Sequence, residues 1–130
     1  MVINRKKIFG FCFWSLFLLI IVLSIIPSSS DVLKSDKDYG VRLDYAIHFT
    51  IYFLLVVFYA LWRVDKQPGR LTTNILLIII ALVYAAANEF LQLYVPSRSF
   101  NPVDMIFNIA GVLLGIFVNY FVILRYYHSR

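Results

Sequence analysis

Five side chains that can carry charge, move protons or donate hydrogen bonds lie at the ends of apolar segments. His48 lies near the start of one segment, and Glu89 and Gln92 lie near the end of the next. Arg98 follows them, and Asp104 begins the last segment. Histidine and carboxyl groups serve general acid–base catalysis, and arginine binds carboxylates or phosphates through forked hydrogen bonds. These residues predict either acid–base chemistry or the binding of an anionic group.

The apolar segments themselves indicate a membrane protein. Of the 130 residues, 62% are hydrophobic and only 15% are charged, whereas a soluble domain has about 25% charged residues. Four segments have the roughly 20 residues that cross a bilayer, and they cover about 8–26, 45–62, 74–95 and 103–124. Backbone groups in lipid must pair within their own segment, which favours helices. We therefore predict an all-α, polytopic membrane protein, a bundle of four transmembrane helices forming a single domain over 1–130.

Several other classes of protein do not fit the sequence. The first segment resembles a secretory signal peptide, but its apolar run exceeds the usual 7 to 15 or so residues, so we expect a retained helix. The only cysteine, Cys12, excludes an internal disulfide and a cysteine-rich metal site. The net charge of +5 lies in short segments between apolar runs, so we expect no nucleic-acid partner. Without a phosphate-binding loop or a zinc motif, we assign no cofactor and no metal. A divalent cation held by Asp44, His48, Glu89 and Asp104 stays an open alternative, since hard cations bind carboxylate oxygens, but this ligand set is not diagnostic.

The lysine and arginine residues predict the orientation, because basic loops stay on the cytoplasmic side. Eight basic residues fall on one side, namely Arg5, Lys6, Lys7, Arg63, Lys66, Arg70, Arg125 and Arg130, and four fall on the other, namely Lys34, Lys37, Arg42 and Arg98. Both termini are therefore predicted to be cytoplasmic. The connections at 27–44 and 96–102 should face outward.

Polar residues recur at helical spacing on three of the four segments. Steps of three and four place residues on one helix face. The three stripes are Asp44, His48, Tyr52, Leu55 and Tyr59; Ala85, Glu89, Gln92 and Pro96; and Asp104, Asn108, Gly111, Gly115 and Asn119. An ionisable side chain at the bilayer centre costs about 2.5 to 3.5 kcal/mol, so the stripes should face one another. Gly111 and Gly115 should let a neighbouring helix approach closely.

The same residues form an ordered pattern along the chain. The segments that carry it are "LDYAIHFTIYFLL", "NEFLQLYVPSRSFNPVD" and "DMIFNIAGVLLG". In order they supply Asp44 and His48, then Glu89 and Gln92, then Pro96 and Arg98, and finally Asp104, Asn108, Gly111 and Gly115. Over about residues 40–120 this resembles the VanZ-like family of small bacterial membrane proteins. The chain departs from the pattern at Tyr45, where the family often has a basic residue.

The resemblance implies a multi-pass protein of the bacterial plasma membrane. Since the founding member confers low-level teicoplanin resistance, it also implies an effect on glycopeptide susceptibility. We expect a polar site near the outer face that binds the head group of an envelope lipid or lipid-linked cell-wall precursor. Its candidate ligand-binding residues are Arg98, Gln92, His48, Glu89, Asp44 and Asn108. One alternative is a membrane-embedded enzyme acting on a lipid-linked phosphate, with His48, Glu89 and Asp104 as catalytic candidates. Another is a structural or proton-coupled transport role, although four helices are few for a transporter that does not oligomerise.

Overall fold

Four α-helices build the protein. The computed structural model describes residues 5–25, 43–63, 71–96 and 98–128. The helices are α1 (Arg5–Ile25), α2 (Leu43–Arg63), α3 (Leu71–Leu91) and α4 (Pro102–His128). A short 3-10 helix, Gln92–Tyr94, continues α3, and the described residues contain no strand. The predicted all-α fold class is confirmed.

Three helices are long and apolar enough to cross a membrane. Their apolar stretches are Arg5–Ile25, Tyr45–Arg63 and Pro102–Phe121. A shorter apolar helical stretch, Ile78–Tyr94, lies within α3 and the 3-10 helix that continues it.

The α-helix of α3 ends before the predicted 74–95 segment does. The α-helix stops at Leu91, and Val95 is extended, with φ −97° and ψ 123°. The following Pro96 explains this geometry, since a proline excludes the helical conformation from the residue before it. Pro102 then opens α4 at the first helical position, where its missing N–H removes no helical hydrogen bond. The two prolines thus bracket a short connection that carries Arg98.

Glycines hold α2 and α4 together in the most extensive helix–helix contact of the described residues. Gly111 and Gly115 are both buried. A Cβ added at Gly111 would overlap the backbone carbonyl oxygen of Phe49, and one added at Gly115 would lie 2.8 Å from the Cβ of Val56. The spacing of the two glycines therefore allows the backbones of α2 and α4 to touch.

Aromatic side chains attach α1 to α2 and α3. The Phe13 ring lies 5.4 Å from Tyr59 and 5.7 Å from Trp62, and the Phe17 ring stacks 4.9 Å from Tyr84. Aromatic pairs at such distances contribute about 0.5 to 1.5 kcal/mol beyond the area that they bury. The Tyr84 hydroxyl also donates to the Phe17 carbonyl oxygen at 3.3 Å. These contacts make α1 part of the bundle.

The distribution of polar groups is the reverse of that in a soluble protein. Large apolar side chains are exposed on all four helices. The buried polar or charged residues among those described are Ser24, Asn88, Glu89, Gln92, Asp104 and Asn108. Exposed apolar surface of this extent marks contact with a membrane, so the apolar faces suit acyl chains while the polar groups bond inside the bundle.

Candidate functional site

The residues buried in α2, α3 and α4 largely coincide with the predicted polar stripes. The buried stripe residues are Tyr52, Leu55, Ala85, Glu89, Gln92, Asp104, Asn108, Gly111 and Gly115. Glu89 and Asn108 are 0% exposed, so both are fully enclosed by neighbouring residues. Pro96 is exposed, and the side chain of Asp44 lies outside the described residues.

Asn108 joins three helices through its amide group. Its Oδ1 lies 2.9 Å from His48 Nδ1 on α2, and its Nδ2 donates to the Ala85 carbonyl oxygen of α3 at 3.5 Å. Since the amide nitrogen is directed to Ala85, the oxygen is the atom facing the imidazole, and His48 Nδ1 carries a proton. His48 is thereby held at the inner face of α2.

Asn101 binds both buried carboxyl groups. Its backbone N–H donates to Glu89 Oε1 at 3.0 Å, and its side-chain amide donates to Asp104 Oδ2 at 2.9 Å. Its own Oδ1 accepts the Val103 N–H at 3.0 Å. Asn101 is therefore the N-cap of α4, since a cap oxygen accepts an N–H from the first turn. The same residue that starts α4 fixes Glu89 and Asp104 beside each other.

The predicted set does not contain Asn101, although the sequence carries a signal for it. In the stretch "NPVD", Asn101 precedes a proline and stands three residues before Asp104. Asparagine is a preferred N-cap, proline is common at the next position, and an acidic residue is favoured in the first turn. What the sequence does not reveal is that the backbone N–H of this cap also reaches Glu89 on another helix.

Glu89 combines complete burial with one unsatisfied oxygen. Its Oε1 accepts the Asn101 N–H, but its buried Oε2 has no hydrogen-bond partner among the described residues. His48, Arg98 and Asp104 lie within electrostatic reach of the Glu89 carboxyl group. The structure thus brings His48, Glu89, Arg98, Asp104 and Asn108 together at one end of the bundle, and we call these five residues the polar cluster.

Arg98 is the cation of the polar cluster. Its backbone N–H donates to the Val95 carbonyl oxygen at 3.1 Å. The side chain is half-buried, and its enclosed Nε lacks a hydrogen-bond partner within the described part of the chain. Gln92 is buried nearby, and its carbonyl oxygen accepts the Val95 N–H at 3.1 Å. Arg98 therefore has hydrogen-bonding capacity to offer to another molecule.

A separate polar contact joins α1 to a face of α3 different from the one that carries Glu89. The Ser24 hydroxyl lies 2.9 Å from the Ile20 carbonyl oxygen and within hydrogen-bond distance of Asn88 Oδ1. Ser24 and Asn88 are both buried. Asn88 precedes Glu89 but faces α1, so neighbouring residues of α3 serve different purposes. The sequence pattern does not single out Ser24, because a lone serine in an apolar run carries no periodic signal.

The donor set of the described residues does not form a metal site. No group of three or more histidine, cysteine, aspartate or glutamate residues there is placed to hold an ion. The cluster instead contains an imidazole, two carboxyl groups and a guanidinium. Chemically it can bind charged groups of either sign, or exchange a proton with a bound molecule.

Comparison with known proteins identifies the family. A search of curated proteins and a search of solved structures found no match. The family model of VanZ/LLP1 matches residues 11–124, which includes all of the polar cluster. The family resemblance of the sequence is thereby confirmed, and the three apolar helices able to span a membrane agree with it. The chain belongs to the VanZ/LLP1 family and is a multi-pass membrane protein.

Proposed function

We propose that the polar cluster binds the anionic head group of an envelope lipid or of a lipid-linked cell-wall precursor. The observation that carries the proposal is the half-buried Arg98, whose enclosed Nε has no acceptor among the described residues. A guanidinium makes forked hydrogen bonds to phosphate oxygens. Desolvating such a donor without a partner costs free energy, and a phosphate would supply the missing acceptor.

Neighbouring side chains favour a lipid as the source of this phosphate. Tyr94, just before the connection, is 86% exposed, and Phe90 stacks on Phe100 at 5.1 Å across that connection. Exposed tyrosines are typical of the membrane–water interface. The polar cluster would then lie at the depth of the head groups, with acyl chains against the exposed apolar faces of the helices.

The proposal places the cluster at the outer face of the bacterial plasma membrane, with both termini cytoplasmic. This orientation rests on the distribution of lysine and arginine. Alkaline phosphatase folds only outside the cytoplasm, so a fusion after Ser99 should be active and a fusion after Arg130 inactive. A fluorescent protein fused after Arg130 should be fluorescent. The reverse pattern in both reporters would contradict the orientation.

Arg98→Ala should weaken head-group binding by about tenfold to a hundredfold. The loss corresponds to a hydrogen bond to a charged group, worth about 1.5 to 3 kcal/mol. The measurement is native mass spectrometry of the detergent-solubilised protein titrated with phosphatidylglycerol and, separately, with undecaprenyl pyrophosphate. Arg63→Ala is the matched control, because Arg63 is an exposed arginine at the far end of α2. Equal affinities of the Arg98 variant and the wild type would refute the proposal.

The same variants give a cellular test of glycopeptide susceptibility. If the protein binds an envelope lipid or precursor, its production in a teicoplanin-sensitive bacterium should lower susceptibility. Arg98→Ala should lose this effect, and Arg63→Ala should keep it. Protein levels in the membrane fraction must be equal, as shown by immunoblotting. Protection by the Arg98 variant at the wild-type level would argue against a role of head-group binding in resistance.

A membrane enzyme is the second candidate. The observation that favours it is Glu89, a fully buried carboxyl group with an unsatisfied oxygen, within electrostatic reach of His48 and Asp104. Such groups exchange protons with a bound substrate when they come within hydrogen-bond distance. The native mass spectra distinguish the two functions, because an enzyme would change the mass of the bound lipid with time and a binding protein would not.

A further inference from the structure

Two oppositely charged groups of the polar cluster each keep a buried atom without a partner. Glu89 Oε2 and Arg98 Nε both lack hydrogen bonds within the described residues. The two groups attract each other electrostatically, yet no ion pair joins them in that part of the chain. The Glu89 carboxylate and the Arg98 guanidinium can therefore bind the positive and the negative group of one ligand that carries both charges.

The charges of the cluster argue against an anion alone. Glu89 and Asp104 are two carboxyl groups close enough to repel each other, and a bound phosphate would add to this repulsion. Like charges a few ångströms apart repel each other more strongly at reduced dielectric than in water. A ligand that brings a cation together with its phosphate would relieve the repulsion by placing that cation beside Glu89.

Tyr52 provides a further acceptor in the same region. Its side chain is 1% exposed, and its buried hydroxyl has no hydrogen-bond partner among the described residues. It interacts electrostatically with Glu89 and lies one helical turn deeper than His48 on α2. A primary ammonium carries three N–H donors, so it could bond both the Glu89 carboxylate and the Tyr52 hydroxyl.

We propose that the ligand is zwitterionic, a phosphate diester or monoester bearing a primary ammonium, with the phosphate on Arg98 and the ammonium on Glu89 and Tyr52. The proposal rests on the head-group binding proposed above and names the head-group class. A phosphoethanolamine group has this chemistry, whether it belongs to a membrane lipid or to a soluble compound.

Lipid selectivity tests the proposal. Native mass spectrometry of the full chain should show phosphatidylethanolamine binding about tenfold more tightly than phosphatidylglycerol, which has no ammonium; tenfold corresponds to about 1.4 kcal/mol. Glu89→Gln should abolish this preference, so that the two lipids bind with equal affinity. The glutamine keeps the Oε1 acceptor of the Asn101 N–H and replaces Oε2 with an amide. Asn119→Leu, which loses a hydrogen bond to the Val56 carbonyl oxygen, should retain the preference.

A second variant keeps the test valid if the Glu89 variant does not fold. Tyr52→Phe removes only the hydroxyl, so it should reduce the preference for phosphatidylethanolamine over phosphatidylglycerol. Competition by O-phosphoethanolamine separates the two sources: displacement of the lipid indicates that the head group alone suffices, and no displacement indicates that the acyl chains are also required. Either result is compatible with the zwitterionic ligand.

The failure of this inference differs from the failure of the proposed function. Equal binding of the two lipids to the wild type, with both dependent on Arg98, overturns the ammonium site and leaves head-group binding in place. A preference for phosphatidylethanolamine that survives both Glu89→Gln and Tyr52→Phe also overturns it. If Arg98→Ala leaves the binding of both lipids unchanged, head-group binding itself is overturned, and the zwitterionic ligand with it.

Discussion

Gly111→Ala is expected to destabilise the protein by about 2 to 3 kcal/mol, the upper part of the usual range for overpacking a tight interior. The added Cβ would overlap the carbonyl oxygen of Phe49. Backbone cannot rotate away as a side chain can, so α2 and α4 must separate. Their contact is the most extensive of the described helix pairs, and its loss affects the whole bundle. The measurement is thermal unfolding of the purified protein in a mild detergent.

Gly10→Ala is the matched control for this substitution. A Cβ at Gly10 would lie 2.9 Å from Nε1 of the Trp62 side chain, which can shift where a backbone carbonyl cannot. Alanine also favours a helix over glycine by about 1 kcal/mol. We therefore expect a much smaller change in stability at Gly10. Equal stabilities of the two variants would show that α2 and α4 do not pack at the observed distance.

Asn108→Leu should lower the stability of the bundle by about 2 kcal/mol. The substitution nearly conserves volume but removes the contacts with His48 and the Ala85 carbonyl oxygen. Hydrogen bonds between membrane helices contribute about 0.6 to 2 kcal/mol each, and the half-buried imidazole of His48 would lose its Asn108 partner. Unfolding by increasing sodium dodecyl sulfate, followed by circular dichroism, measures the loss.

Asn119→Leu is the control for the asparagine substitution. Asn119 lies on the same stripe of α4 but donates one hydrogen bond, to the Val56 carbonyl oxygen at 3.2 Å, and it is half-buried. Its replacement should cost about 1 kcal/mol or less by the same scale. A larger loss at Asn119 than at Asn108 would mean that the polar cluster contributes little to the stability of the fold.

Helical periodicity and the cost of polar groups in lipid suffice to predict much of this structure. Glu89, Asp104 and Asn108 fall on stripes whose inward orientation follows from their spacing and their polarity. Both are local properties of the sequence, and so are the apolar lengths that specify the helices. The family pattern depends on the same residues, which explains why it is visible in the chain alone.

Other features depend on partners that are distant in the sequence or on the conformation of a connection. Ser24 and Asn88 are 64 positions apart, and neither residue type requires the other. The contact of Asn101 with Glu89 depends on how the chain turns after Pro96. Likewise, the opposite charges of Arg98 and Glu89 permit an ion pair, but whether one forms depends on the path of the connection. Among the described residues none joins them.

The two hydrogen bonds that Asn101 donates, to Glu89 and to Asp104, have a consequence for assembly in the membrane. Its contact with Glu89 joins residues 12 positions apart, whereas the contact of His48 with Asn108 joins residues 60 positions apart. Short loops close at lower entropic cost than long ones. We therefore expect α3 and α4 to insert as a helical hairpin whose acidic residue already has a donor when it enters lipid. The helices α1 and α2 would pack against this hairpin afterwards. The translocation machinery would then never release Glu89 into lipid without a hydrogen-bond donor.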